Sequence, residues 1–69
     1  MNKEEFNIKL GQTIRDSRLA KSISQEKLAY LADVNRKYMY LIESGKTNAS
    51  SYILYKICGI LKIDFELFT

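Results

Sequence analysis

The 69-residue chain has no histidine, no proline, one cysteine and three glycines that never gather into a loop. Without histidine or paired cysteines there is no metal-ligand set, and without a glycine-rich run there is no cradle for phosphates. No constellation of nucleophile, base and orienting partner replaces them, so catalysis, a metal, a cofactor and a small-molecule ligand are all unexpected. The lone Cys58 cannot form an intramolecular disulfide, which fits a reduced, cytoplasmic setting. No apolar run is long enough to cross a bilayer, and the N-terminus carries no signal-peptide pattern. Linkers, repeats, low-complexity tracts and alternating strand-like runs are missing too. An all-α fold is what remains.

What is present is a globular mixture, 46% hydrophobic and 28% charged. Residues 1–69 are expected to form one small domain about a single core. A chain this short buries roughly 60% of its unfolded surface, so a partner subunit would help its stability. The net charge of +3 and pI near 9.1 are mildly basic and compatible with nucleic acid. Its distribution says more. Arg36, Lys37 and Lys46 gather in the middle of the chain, while Glu4, Glu5, Asp64 and Glu66 lie toward its ends.

Helical spacing divides the chain into five short helices. The first covers residues 4–21, where Phe6, Leu10 and Ile14 form an apolar stripe at i+4 intervals. Its acids stand at the positive end of the helix dipole and Arg18 and Lys21 at the negative end. Gly11 either admits a close neighbouring helix or is simply tolerated, at roughly 1 kcal/mol relative to alanine. A polar loop over 46–51 leads to a fourth helix carrying Ile53, Leu54, Ile57, Cys58 and Leu61. Lys62 ends that helix, Ile63 re-enters the core, and Asp64 caps a fifth helix over 65–68. Cys58 lies on the apolar stripe as a small core residue.

The second and third helices lie in residues 24–45, SQEKLAYLADVNRKYMYLIESG. Ser24 and Asn35 offer side-chain oxygens where each begins. Gln25, Leu28, Ala29 and Ala32 share one stripe. Asp33 and Val34 make the turn, with Asp33 in a left-handed conformation and Val34 turned inward. Gly45 closes the third helix. On that helix Met39 and Ile42 face inward. Arg36, Lys37, Tyr40, Leu41 and Ser44 share the free sector at about 100° per residue. A helix over about 35–44, anchored by apolar residues and showing cations on its free face, suits a DNA major groove.

Three segments at their spacings, SQEKLA from Ser24, IESGK from Ile42, and the amphipathic stretch from Leu54 through Ile63, resemble the Cro/cI-type, or xenobiotic-response-element, helix-turn-helix family. The likeness runs from Leu10 to Phe68. A weaker one, carried by Asn35, Arg36, Lys37, Tyr38 and Met39, points to restriction–modification controller proteins. The resemblance implies a lambda-repressor-like arrangement in which helices 2 and 3 form the helix-turn-helix. It implies that Gln25 contacts a phosphate and braces the recognition helix. It further implies that Arg36, Lys37 and Leu41 face bases, that Ser44, Lys46 and Asn48 meet the backbone, and that Arg18 and Glu43 form a structural ion pair. Some positions depart from the pattern. Ser17 stands where a core leucine is common, Ser22, Asp33 and Lys62 where glycine is usual, Ala49 for a proline, and Leu41 for a polar reader.

The residue chemistry agrees in outline. The planar fork of Arg36 suits guanine O6 and N7, and Lys37 serves base or phosphate. Leu41 offers no hydrogen bond but fits a thymine methyl. Tyr40 joins the base-facing set. Tyr38, partly in the core, joins Gln25, Asn35, Ser44, Lys46, Thr47 and Asn48 on the DNA backbone, where contacts position the protein and add salt dependence. Tyr52, Tyr55, Ile60, Phe65, Leu67 and Phe68 exceed what one core needs, and a two-fold homodimer interface would use them. The function expected is a sequence-specific, double-stranded-DNA-binding transcriptional regulator, dimeric on a near-palindromic operator: a restriction–modification controller or a phage-type repressor. The alternative from another class is an antitoxin-like or other helical protein-interaction module, for which the Arg36/Lys37 face would be dispensable.

Overall fold

The first helix begins where Asn2 turns its side chain back on the chain and accepts the amide of Glu5 at 2.8 Å. The same device, an oxygen accepting the amide three residues on, opens the other helices. Ser24 accepts from Lys27 at 3.0 Å, Asn35 from Tyr38 at 2.7 Å and Ser50 from Ile53 at 3.2 Å. Each satisfies an amide that the first turn leaves without a carbonyl. The resulting elements, in a computed structural model that describes residues 1–68 and side chains through Glu66, are α1 (Lys3–Ala20), α2 (Gln25–Leu31), α3 (Arg36–Glu43) and α4 (Ser51–Leu61).

The expected fifth helix is corrected: Phe65–Phe68 is a single 3-10 turn, leaving four α-helices among the described residues. Four residues are too few to offset the cost of an α-helical nucleus. Asp64 does cap this turn, its Oδ1 accepting the Glu66 amide at 3.0 Å. No strand occurs among the described residues.

The helices end alike as well. After α3, Gly45 at φ 75° lets its own amide reach the Ile42 carbonyl at 3.1 Å and the Lys46 amide reach that of Leu41 at 2.9 Å. This paired closure satisfies two carbonyls and needs a left-handed residue at its bend. Ser22 (φ 56°) after α1 and Asp33 (φ 58°) after α2 make the same pair of bonds, and Lys62 (φ 61°) bends the chain after α4. The left-handed expectation for Asp33 therefore holds. Ser22 and Lys62, the other positions where the family pattern has glycine, take the conformation that glycine would.

The core gathers Leu10 and Ile14 of α1, Leu28 and Ala29 of α2, Ala32 after it, Met39 and Ile42 of α3, and Leu54, Ile57 and Leu61 of α4. Of the apolar stripe on α1, Leu10 and Ile14 are buried, whereas Phe6 at 37% exposure sits on the rim. Four residues before Leu10, it lies beyond the point where the other helices cover α1. Val34, Tyr38 and Ile63 pack half-buried against the core, as their places in the sequence imply. Cys58 is buried, and that burial, with the charge of Asp64 second, pushes its thiol pKa up. A thiol held protonated is a poor nucleophile.

Gly11 is a close-approach glycine. A Cβ there would stand 2.5 Å from the Ile42 carbonyl oxygen and closer still to that of Glu43. The backbone of α3 thus runs directly against α1, which fixes the depth at which α3 sits. No helix among the described residues is long and apolar enough to cross a membrane.

Candidate nucleic-acid interface

Two faces of α3 have different fates. Met39, Ile42 and Glu43 are buried, while Arg36, Lys37 and Tyr40 are exposed and Leu41 and Ser44 are half-buried. The exposed face therefore projects from a helix whose rear is locked in place.

That lock is polar as well as apolar. Arg18 Nε donates to Glu43 Oε2 at 2.8 Å and Nη2 donates to Oε1 at 2.9 Å. Nη1 donates to the Ile23 carbonyl at 2.8 Å, and Gln25 Nε2 donates to Glu43 Oε1 at 3.2 Å. Glu43 thus ties the end of α3 to α1 and to the start of α2, and Arg18 adds the α1–α2 link through Ile23. Both charged residues are buried, and no buried side-chain nitrogen or oxygen among the described residues lacks a partner. The ion pair expected between Arg18 and Glu43 is present. Gln25 braces α3 through this same carboxylate.

The rest of the free face is held more lightly. Arg36, at the first position of α3, has Nη1 3.5 Å from Glu26 Oε2, with both side chains largely in solvent. Asn35 spends its side-chain oxygen on the cap, which leaves its amide hydrogens to donate outward. The hydroxyl of Ser44 donates to the Leu41 carbonyl at 3.2 Å, so an anion at Ser44 would have to displace that bond. Lys46 Nζ lies 5.7 Å from the centre of the Tyr40 ring, within cation–π range.

The loop after α3 is braced by α1. Asn48 Oδ1 accepts from Asn7 Nδ2 at 2.7 Å, and the backbone of Ile8 lies close against Gly45. Lys46, Thr47 and Asn48 accordingly follow α3 as a held segment, with Lys46 and Asn48 exposed and Thr47 half-buried. The sequence-predicted positions Asn35, Arg36, Lys37, Tyr40, Leu41, Ser44, Lys46, Thr47 and Asn48 lie on α3, at its cap or in the segment that follows it, and Gln25, at the start of α2, reaches α3 through Glu43. Tyr38 is half-buried behind them. Sequence reasoning missed Glu26 and Asn7. The only signal for Glu26 was an acid in the first turn of α2, which the helix dipole explains by itself.

Of the residues expected at a dimer interface, Tyr52 and Tyr55 are exposed on α4, whereas Ile60 and Phe65 are half-buried against the core. Tyr55 meets Phe65 edge-on with ring centres 5.8 Å apart, and Lys56 Nζ lies 5.0 Å from the Tyr52 ring centre. The side chains of Leu67 and Phe68, also expected there, lie outside the described residues.

A helix-turn-helix (HTH_3) family model matches residues 14–68, which takes in the whole of this surface. Control protein C.BamHI of Bacillus amyloliquefaciens is 45% identical over 61 residues, spanning 84% of this chain and 75% of that one. Among solved structures, the restriction-modification controller protein C.AhdI from Aeromonas hydrophila superposes with a TM-score of 0.88 at 32% identity, both chains being covered in full. The clp gene regulator ClgR from Corynebacterium glutamicum matches with a TM-score of 0.85 at 25% identity, over 91% of this chain and 67% of that one.

Proposed function

From the premise that the chain belongs to the helix-turn-helix (HTH_3) family and is a DNA-binding transcriptional regulator, we propose that it is a restriction–modification controller acting as a homodimer. Its site is a near-palindromic operator, and it works in the cytoplasm. The likeness to C.BamHI and C.AhdI supports the controller class. The observation that carries the mechanism is the two-faced α3, buried through Met39, Ile42 and Glu43 and open through Arg36, Lys37 and Tyr40.

In this reading α3 lies in the major groove. Arg36 reads guanine through two donors, a contact that discriminates by roughly 1–3 kcal/mol. Lys37 and Tyr40 line the same edge, and Leu41 covers a thymine methyl. Gln25, Asn35, Tyr38, Ser44, Lys46, Thr47 and Asn48 hold the sugar–phosphate backbone and set the register. The aromatic surface of Tyr52 and Tyr55, with Ile60, Phe65, Leu67 and Phe68, joins two copies. Two-fold symmetry then sets the recognition helices roughly 34 Å apart, one turn of DNA.

Selection of bound duplexes from a randomised pool tests this reading. The expected product is a pair of inverted half-sites centred about one turn apart. A pool that emerges without enrichment would contradict it. Sedimentation at micromolar concentration tests the dimer, which a clean monomer both with and without DNA would exclude.

A further inference from the structure

Glu26 stands in the first turn of α2, and its carboxylate meets Arg36 across the turn between the helices. The first turn of α3 holds two cations, Arg36 and Lys37, and no acid. The positive end of a helix dipole disfavours cations there, and Glu26 supplies the missing counter-charge from a neighbouring element. With side chains 68% and 76% exposed, the pair contributes little to folding. Its geometry matters for another reason. The closest approach of the carboxylate to Arg36 is at Nη1, 3.5 Å away and without a hydrogen bond, and no described group hydrogen-bonds to the Nε–Nη2 edge of the guanidinium. That edge is itself a two-donor fork of the kind that matches guanine O6 and N7.

We propose that Glu26 is a specificity-determining positioning residue: by holding Nη1 of Arg36 it presents the Nε–Nη2 edge to a guanine, while its own charge weakens binding to DNA of any sequence. The proposal rests on the reading of Arg36 as a base reader. Glu26 needs no contact with a base. It narrows the orientations of a long side chain before DNA arrives, and it sets a negative charge beside the phosphates that every non-cognate duplex also presents.

The test compares wild type, E26Q, R36A and the double variant in selections from a randomised duplex pool. The enriched duplex and its single-base variants are then titrated at one salt concentration. In E26Q the guanine preference at one position of each half-site should fall about fivefold or more, within the range a bidentate contact commands. Affinity for unselected duplex should rise severalfold, and the thermal midpoint should fall by no more than a few degrees, as the loss of an exposed pair and of one acid in the first turn of α2 requires. In R36A the preference at that position is already lost, so adding E26Q should change it no further.

An E26Q protein with the wild-type preference intact overturns the proposal. So does an E26Q effect spread evenly over all positions, or one of the same size in the R36A background. If R36A itself keeps every preference of wild type, the assignment of Arg36 fails and this inference falls with it. If wild type enriches no sequence at all, the regulator reading fails first, so the cases are told apart.

Discussion

Arg18 and Glu43 are joined side by side through two parallel hydrogen bonds of 2.8 and 2.9 Å, and both side chains are almost wholly shielded from water. Removing one partner leaves the other as a buried, uncompensated charge. Arg18→Met should therefore cost about 3–5 kcal/mol, much of what a domain of this size has to lose. Replacing both, as Arg18→Met with Glu43→Leu, should be milder than either single change. Urea denaturation followed by circular dichroism measures the three. A double variant less stable than both single variants would show that the pair does more than neutralise itself.

A second prediction separates two glycines that look alike in the sequence, each lying inside a helix. Gly11 faces the α3 backbone, which cannot swing aside, whereas a Cβ at Gly59 would meet nothing within 4 Å. Gly11→Ala adds a methyl to a full space, at roughly 1–3 kcal/mol, against which alanine's better helix propensity returns only about 1 kcal/mol. Gly59→Ala receives that propensity gain without the clash. Thermal denaturation should lower the midpoint for the first variant and raise it for the second.

A third concerns the left-handed bends. Lys62 holds φ 61° in an exposed position, at a conformational cost of about 1–2 kcal/mol for a residue with a Cβ. Glycine at this position avoids the strain but adds freedom to the unfolded chain, which offsets about half of the gain. Lys62→Gly should raise stability by roughly 0.5–1 kcal/mol in a urea titration. A loss of stability would mean that the lysine side chain supports the end of α4.

Much of this was legible in local chemistry. Ser24 and Asn35 could be read as caps because a cap is a contact over three residues, and Asp33 and Gly45 as bends because the bend is set by one residue's φ. The inward turn of Met39 and Ile42 followed from helical period alone. The exposure of Phe6 was not legible, because the period gives the direction of a stripe and not how far along the helix a neighbour covers it. The last short helix, over 65–68, counts as a fifth in the sequence because apolar spacing over four residues does not distinguish an α-helix from a 3-10 turn. The bridges from Glu26 to Arg36 and from Asn7 to Asn48 depend on how one helix packs against another or against a loop, which no local pattern carries. Arg18 with Glu43 was reachable only through the family resemblance.

The most direct measurement is the affinity of the protein for duplex DNA as a function of salt. Cations meeting phosphates release counterions, so log affinity should fall linearly with log salt, by about 0.9 for each phosphate neutralised. Lys46→Ala should make that slope shallower by about one. Arg36→Ala should instead narrow the gap between the selected duplex and an unrelated one. An affinity for duplex DNA that is absent, or that does not change with salt, would contradict the placement of α3 in the groove.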